Sequence, residues 1–277
     1  MTALLETTGL NRRFGGLVAV DGIDLSVAPG AVHGLIGPNG AGKTTLLNML
    51  SGHLAPSGGT IAFDGRDITR LRPDRRAAAG IRRTFQNLKL FKEMTVLENV
   101  MIGLHCKTRA EMLHALLRTP FQRAEEASIL ERAHAALDFV GLADLAGKIS
   151  GSLPYGHQRL LEIARAIVAE PRLLLLDEPA AGLNGPESKR LVGLIRRIQA
   201  SGITIVLVEH HMDVVMPTCS AITVLNYGRL LANGAPAQIR RDPEVIRAYL
   251  GKGSAGTPAA VARAVPAAAG ELVHAAS

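Results

Sequence analysis

The stretch Gly37-Pro38-Asn39-Gly40-Ala41-Gly42-Lys43-Thr44 constrains this chain more than any other. It follows the pattern Gly-x-x-x-x-Gly-Lys-Thr, a loop that wraps phosphate. Before it, after a Pro29-Gly30 turn, the apolar run Ala31 to Ile36 reads as a buried strand. After it, Leu46, Leu47 and Leu50 fall on one side of a helix that Gly52 closes. Strand, loop and helix in that order are the context in which the pattern works. Glycines at 37, 40 and 42 let the backbone approach phosphate oxygens, and the N–H groups opening the helix add partial positive charge. Lys43 then supplies a full charge to the β and γ phosphates, and the Thr44 hydroxyl is the natural first ligand of a Mg²⁺ ion. The loop predicts a bound nucleoside triphosphate, without choosing among kinases, GTPases and motor ATPases.

A second motif narrows the chemistry. Leu173-Leu174-Leu175-Leu176-Asp177-Glu178 is an apolar strand ending in two carboxylates, so its body is buried while its carboxyl end emerges beside the nucleotide. Asp177 is expected to hold Mg²⁺, directly or through water. Glu178 is expected to orient, or take a proton from, the water that attacks the γ-phosphate.

The remaining pattern places these motifs on a scaffold. Leu160, Ile163, Ala164 and Ile167 mark an amphipathic helix starting near Leu160; Leu191, Leu194, Ile195 and Ile198 mark another, and Ile203 to Val208 reads as a strand. Helices alternating with continuously apolar strands imply an α/β fold with a parallel sheet covered on both faces. Thr60 to Phe63 and Arg66 to Ile68 flank Asp64-Gly65, a dipeptide suited to a tight hairpin, which adds a small antiparallel piece. From about residue 87 to 160 the pattern is helical: Thr95 and Glu98 have capping-box spacing, and Phe121 to Val140 is rich in Ala, Glu, Arg and Leu before Gly141 ends it. Residues 252–277 are mostly Ala, Gly, Pro and Val without periodicity, and read as a mobile tail behind a single domain at 1–251.

Composition excludes several classes. With 47% hydrophobic residues in 277, the chain can fill a sizeable core. Its longest apolar runs are nonetheless strand-length, far short of the roughly 20 residues needed to cross a bilayer. The N-terminus lacks the apolar block and cleavage site of a secretory signal, which predicts a cytoplasmic location. Cys106 and Cys219 stand apart with no metal-ligand spacing around them. The net charge of +7 raises nucleic acid as a partner, but aromatic residues are only 3% of the chain and the basic residues are scattered, so base-stacking platforms and nucleic-acid binding are not expected.

Between the two phosphate-site motifs lies Ser152-Leu153-Pro154-Tyr155-Gly156-His157-Gln158-Arg159. This segment resembles the signature motif of ABC ATPases, usually Leu-Ser-Gly-Gly-Gln, with Leu153 and Gly156 matching and Pro154, Tyr155 and His157 replacing the usual residues. The resemblance runs from about Leu4 to Leu250. It implies a P-loop NTPase (RecA-like) core with a small antiparallel β subdomain and an inserted helical subdomain. It implies that Phe14, Gly37, Pro38, Asn39, Gly40, Ala41, Gly42, Lys43, Thr44, Thr45 and Gln86 contact ATP, and that Thr44, Gln86 and Asp177 surround Mg²⁺. Glu178 and His210 are then the catalytic pair, His210 being chosen over His211 by the family's Glu-His-x-Met pattern, here Glu209-His210-His211-Met212. In such ATPases two subunits close head to tail, so Leu153, Pro154, Tyr155, Gly156 and His157 are expected to face the partner's ATP. Because proline has no N–H, contact with that γ-phosphate falls to the Tyr155 and Gly156 backbone.

The stretch Gly80-Ile81-Arg82-Arg83-Thr84-Phe85-Gln86-Asn87, the run Glu178 to Asn184 and the ending Val245 to Gly251 look like the subunit serving branched-chain amino acid importers. That resemblance implies a second, similar ATPase subunit, two permease subunits, an extracytoplasmic binding protein acting indirectly, and a peripheral place on the cytoplasmic face of the inner membrane. Urea or short-amide importers share this subunit type. The alternative from another class is a soluble ABC ATPase acting on ribosomes or DNA.

Overall fold

The computed structural model describes residues 3–104 and 120–250. Cys106 and the tail at 252–277 lie outside the described residues. Four-leucine and Ile/Val runs form the central strands because both of their faces are covered. The strands β3 (Val32–Ile36), β7 (Leu173–Asp177) and β8 (Thr204–Val208) are buried at every position. They lie in a six-stranded sheet with β6 (Ile81–Arg83), β9 (Ala221–Asn226) and β10 (Arg229–Gly234), in the order β10-β9-β3-β8-β7-β6. The pairings β3·β8, β3·β9, β6·β7 and β7·β8 are parallel, and β10 runs antiparallel to β9 at one edge.

Alternation along these strands splits the interior into two cores. Leu174 and Leu176 face one, with Leu161, Ile163, Leu191 and Leu194. Leu173 and Leu175 face the other, with Leu46, Leu47, Leu5 and Ile23. The first is covered by α5 (Tyr155–Ile167) and α6 (Gly185–Ala200), and the second by α1 (Lys43–Leu50) and a second sheet. That four-stranded antiparallel sheet, ordered β2-β1-β4-β5, contains β1 (Leu5–Phe14), β2 (Leu17–Val27), β4 (Gly58–Phe63) and β5 (Arg66–Asp67). Asp64 and Gly65 at its hairpin have φ of +53° and +72°, as the turn chemistry requires. The antiparallel part is larger than the hairpin read from sequence, because the alternating N-terminus pairs with β4 along Leu5 to Thr8.

Between β6 and β7 come α3 (Val96–Ile102), α4 (Pro120–Val140) and α5, preceded respectively by α2 (Pro73–Ala78) on the other side of β6. Thr95 caps α3 in a complete capping box with Glu98. The helix expected near Leu160 begins at Tyr155, five residues earlier, because Pro154 with its fixed φ of −54° can stand at the N-cap and accept the first i→i−4 bond from Gln158. Beyond β8, α7 (Met212–Thr218), α8 (Pro236–Ile239) and α9 (Pro243–Leu250) complete the described chain. Among the described residues, no helix is long and apolar enough to cross a membrane.

Candidate active site

The phosphate loop joins the end of β3 to the start of α1. At Gly37, φ is +150° and a Cβ would stand 2.2 Å from the Leu225 carbonyl oxygen. At Gly42, φ is +99° and a Cβ would stand 2.5 Å from the Ala19 carbonyl oxygen. Only glycine fits either position. The loop is pinned from the β9–β10 hairpin by Gly228, whose N–H donates to the Ala41 carbonyl at 3.1 Å. Gly42 gives α1 no side-chain cap, so the first N–H groups of the helix are left for an anion. Lys43, 6% exposed, curls back to donate to the carbonyls of Gly37 at 2.6 Å and Pro38 at 3.0 Å. Burial lowers its pKa below the ordinary lysine value, opposed by the nearby Glu178 and Asp177 carboxylates.

Above the loop opens a cleft of about 1030 Å³, lined by every residue from Gly37 to Thr45 together with Phe14, Gln86, Glu178 and His210. All the residues expected to contact ATP, and both expected catalytic residues, therefore converge on one space. Phe14 is 44% exposed at the β1–β2 turn, with the Arg12 guanidinium 4.7 Å from its ring centroid. Gln86 donates its amide to Glu178 Oε2 at 2.9 Å, and His210 Nδ1 lies 3.9 Å from the same oxygen. Glu178 has φ of +46°, a left-handed conformation that costs a non-glycine residue of order 1 kcal/mol and is found where a side chain must be aimed.

Glu209, fully buried, supports this corner. Its carboxylate accepts N–H bonds from Ala180 at 2.7 Å, His210 at 2.9 Å and His211 at 3.2 Å. It thus ties the loop after Glu178 to the chain at His210. Glu209, His210 and His211 are close enough to share a metal ion, but the glutamate is already committed to those three N–H groups.

Asp177 does not line the cleft. It is 3% exposed, and its Oδ2 accepts a hydrogen bond at 2.8 Å from Arg83, a residue that the sequence reading singled out only within the stretch Gly80 to Asn87 and gave no role. Leu153, Pro154, Tyr155, Gly156 and His157 also stand outside the cleft, at the N-terminus of α5. A Cβ on Gly156 would meet Glu187 Oε1 at 2.6 Å, and one on Gly182 would meet the Tyr155 ring at 3.1 Å. The signature segment is therefore packed on the loop that follows Glu178 and on the start of α6. From inside α5, the fully buried Arg159 donates to Tyr155 Oη and the Gln86 carbonyl at 2.9 Å each, and to the Phe85 carbonyl at 2.8 Å. Its partner Glu162, at 2.9 Å, accepts the Phe85 N–H, and burial raises the Glu162 pKa against the opposing pull of Arg159.

Sequence reading missed three further parts of the cleft wall. Leu17 and Tyr227 line its mouth, and Ala248 and Tyr249 reach it from α9. Burial pushes the Tyr249 phenol up to about 12. No residue-type pattern marks these positions, since each is an aromatic or apolar side chain at a strand end, in a hairpin turn or in a helix.

A family profile described as "ABC transporter" matches residues 20–181. The fold also matches the crystal structure of the ADP conformation of MJ1267, an ATP-binding cassette of an ABC transporter, with a TM-score of 0.80 and 33% identity over 91% of this chain and 100% of that one. The chain belongs to the ABC transporter family of ATP-binding cassettes, which are P-loop ATPases. Two relatives narrow the kinship: the high-affinity branched-chain amino acid transport ATP-binding proteins BraF of Pseudomonas aeruginosa and LivG of Escherichia coli K12. Each is 46% identical over 250 residues, covering 90% of this chain and 98% of the relative. A second profile, described as "Branched-chain amino acid ATP-binding cassette transporter", matches residues 229–255. That segment includes α9, which brings Ala248 and Tyr249 to the cleft.

Proposed function

We propose that this chain binds and hydrolyses ATP to drive an importer of branched-chain or related amino acids. It sits peripherally on the cytoplasmic face of the membrane, against two permease subunits, with an extracytoplasmic binding protein choosing the substrate. The observation that carries this reading is the convergence of the phosphate loop, Gln86, Glu178 and His210 on one cleft, in a chain 46% identical to BraF and LivG.

In this reading Phe14 stacks on adenine, the loop N–H groups and Lys43 take the phosphates, and Glu178 activates water while His210 senses the γ-phosphate. The Gln86 amide already bonded to Glu178 leaves its carbonyl oxygen available. Thr44, Gln86 and Asp177 then offer hydroxyl, amide and carboxylate oxygens, the hard donors that suit Mg²⁺. When bound, the ion neutralises charge on the β and γ phosphates. Residues 1–251 act as one ATPase domain, with about 87–160 as its inserted helical subdomain. Leu153 to His157 lie outside the chain's own cleft, which fits them to complete the ATP site of a second cassette subunit. The N–H groups of Tyr155 and Gly156 open α5 and favour an anion there.

The test is uptake of labelled leucine by a strain deleted for this gene, combined with affinity capture of the tagged chain from solubilised membranes. The expected result is reduced uptake and recovery with permease subunits. Undiminished leucine uptake overturns the substrate class, and recovery with ribosomes instead of membrane subunits overturns the transport role.

A further inference from the structure

Behind the cleft, the ion pair of Arg83 and Asp177 is almost sealed from solvent, with side chains 6% and 4% exposed. The other arm of the guanidinium, Nη1, donates to Asn48 Oδ1 at 2.6 Å and Ser51 Oγ at 2.9 Å. Its carbon lies 5.1 Å from the Phe85 ring centroid. One planar group thus joins the helix that starts at Lys43 and Thr44, the strand end that carries Asp177, and the segment that leads to Gln86. Arg83 Nε is buried without a partner. Desolvating two charges commonly costs as much as their attraction returns, and an orphaned donor adds to the cost. Stability alone is a poor reason for such a pair.

Asp177 is the carboxylate assigned above to Mg²⁺, and the inference rests on that reading. We infer that Arg83 is a positioning residue for the metal: it fixes the Asp177 carboxylate through Oδ2, leaves Oδ1 to the cation, and so makes nucleotide affinity depend on Mg²⁺. No hydrogen bond among the described residues reaches Oδ1. A carboxylate already locked by a hydrogen-bonding neighbour binds a cation without first losing its own rotational freedom, which is how groups behind metal ligands raise affinity. A guanidinium also repels a cation, so an alternative role is competition for the carboxylate. The anchoring of Arg83 by Asn48, Ser51 and Phe85 favours positioning, since a competitor must be able to leave.

The affinity of the purified full-length chain for a non-hydrolysable ATP analogue, in Mg²⁺ and in EDTA, tests this. The gain on adding Mg²⁺ is the readout. Arg83→Gln is expected to lose about tenfold of that gain, with its affinity in EDTA within about twofold of wild type. Arg83→Lys keeps the charge but cannot hold Asp177 and Asn48 together, and recovers part of the gain. Asn48→Ala leaves Arg83 its charge, removes one anchor, and loses a smaller part; it carries the decision should Arg83→Gln not fold. An unchanged gain in these variants means a structural pair, a larger one means competition, and equal weakening in both buffers means general damage; each overturns the inference. A wild-type chain with no Mg²⁺ gain instead sinks the assignment of Asp177 to the metal.

Discussion

Glu178 is held by its own surroundings: its backbone is turned to φ +46°, its N–H bonds the Val208 carbonyl, and its carboxylate accepts from Gln86. Such preorganisation is what a group that must meet one water molecule needs. Glu178→Gln is therefore expected to keep ATP binding and cut turnover by about 10²–10⁴-fold, the range for a general base; a variant with normal steady-state hydrolysis would remove that carboxylate from the chemistry. Lys43 is the complementary case. Its ammonium, buried and folded onto two loop carbonyls, can exchange those neutral acceptors for phosphate oxygens. Lys43→Ala is expected to weaken ATP binding by on the order of ten- to hundredfold, the worth of a charge-assisted hydrogen bond, and equilibrium titration with ATP checks it. Both proposed roles were read from residue type and spacing. Arg83 and Glu209 were not, because a buried arginine or glutamate looks like any surface charge until the chain around it is closed.

Among the elements, α5 differs most from its sequence reading. Its apolar stripe begins at Leu160, but the helix begins at Tyr155, since the first turn packs through Gly156 and Arg159 rather than through aliphatic side chains. Gly156→Asp forces a second carboxylate against Glu187, where a Cβ alone would lie 2.6 Å from Oε1, and places negative charge at a helix N-terminus proposed to face phosphate. In the assembled complex, ATPase activity should fall on the order of 10²-fold, the usual cost of losing one preorganised donor to an oxyanion. Nucleotide binding by the same chain should persist, because Gly156 is outside its own cleft.

The pair β3 and β9 carries a different liability. His33, 3% exposed and bonded to Thr223 Oγ1 at 2.8 Å, has its pKa lowered by burial from 6.5 to about 4. The unfolded chain takes the proton first, so stability is lost as pH falls from about 6.5 towards 4, by at most about 3 kcal/mol from this group. Urea unfolding of His33→Gln should show a shallower loss between pH 7 and pH 4 than wild type, and equal slopes would acquit His33.

For the whole molecule, sequence determined the existence of the nucleotide site and the class of sheet that holds it. The pattern Gly-x-x-x-x-Gly-Lys-Thr between an apolar strand and a helix specifies a loop that cradles phosphate, and strands apolar at every position must be covered on both faces. Short-range chemistry also fixed the Asp64-Gly65 hairpin and the Thr95–Glu98 cap, whose partners lie within three residues of each other. Tertiary structure decided what lies far apart in sequence and close in space. It joined the β1–β2 and β4–β5 hairpins into one four-stranded sheet by pairing β1 with β4, set Tyr227 and Tyr249 on the cleft that Phe14 opens, and put Arg83 on Asp177 across 94 positions of chain. The phosphate loop announces itself because its function is a backbone shape that only certain residues allow. The walls around it do not, because an aromatic ring or a buried charge takes its meaning from neighbours that only the folded chain supplies.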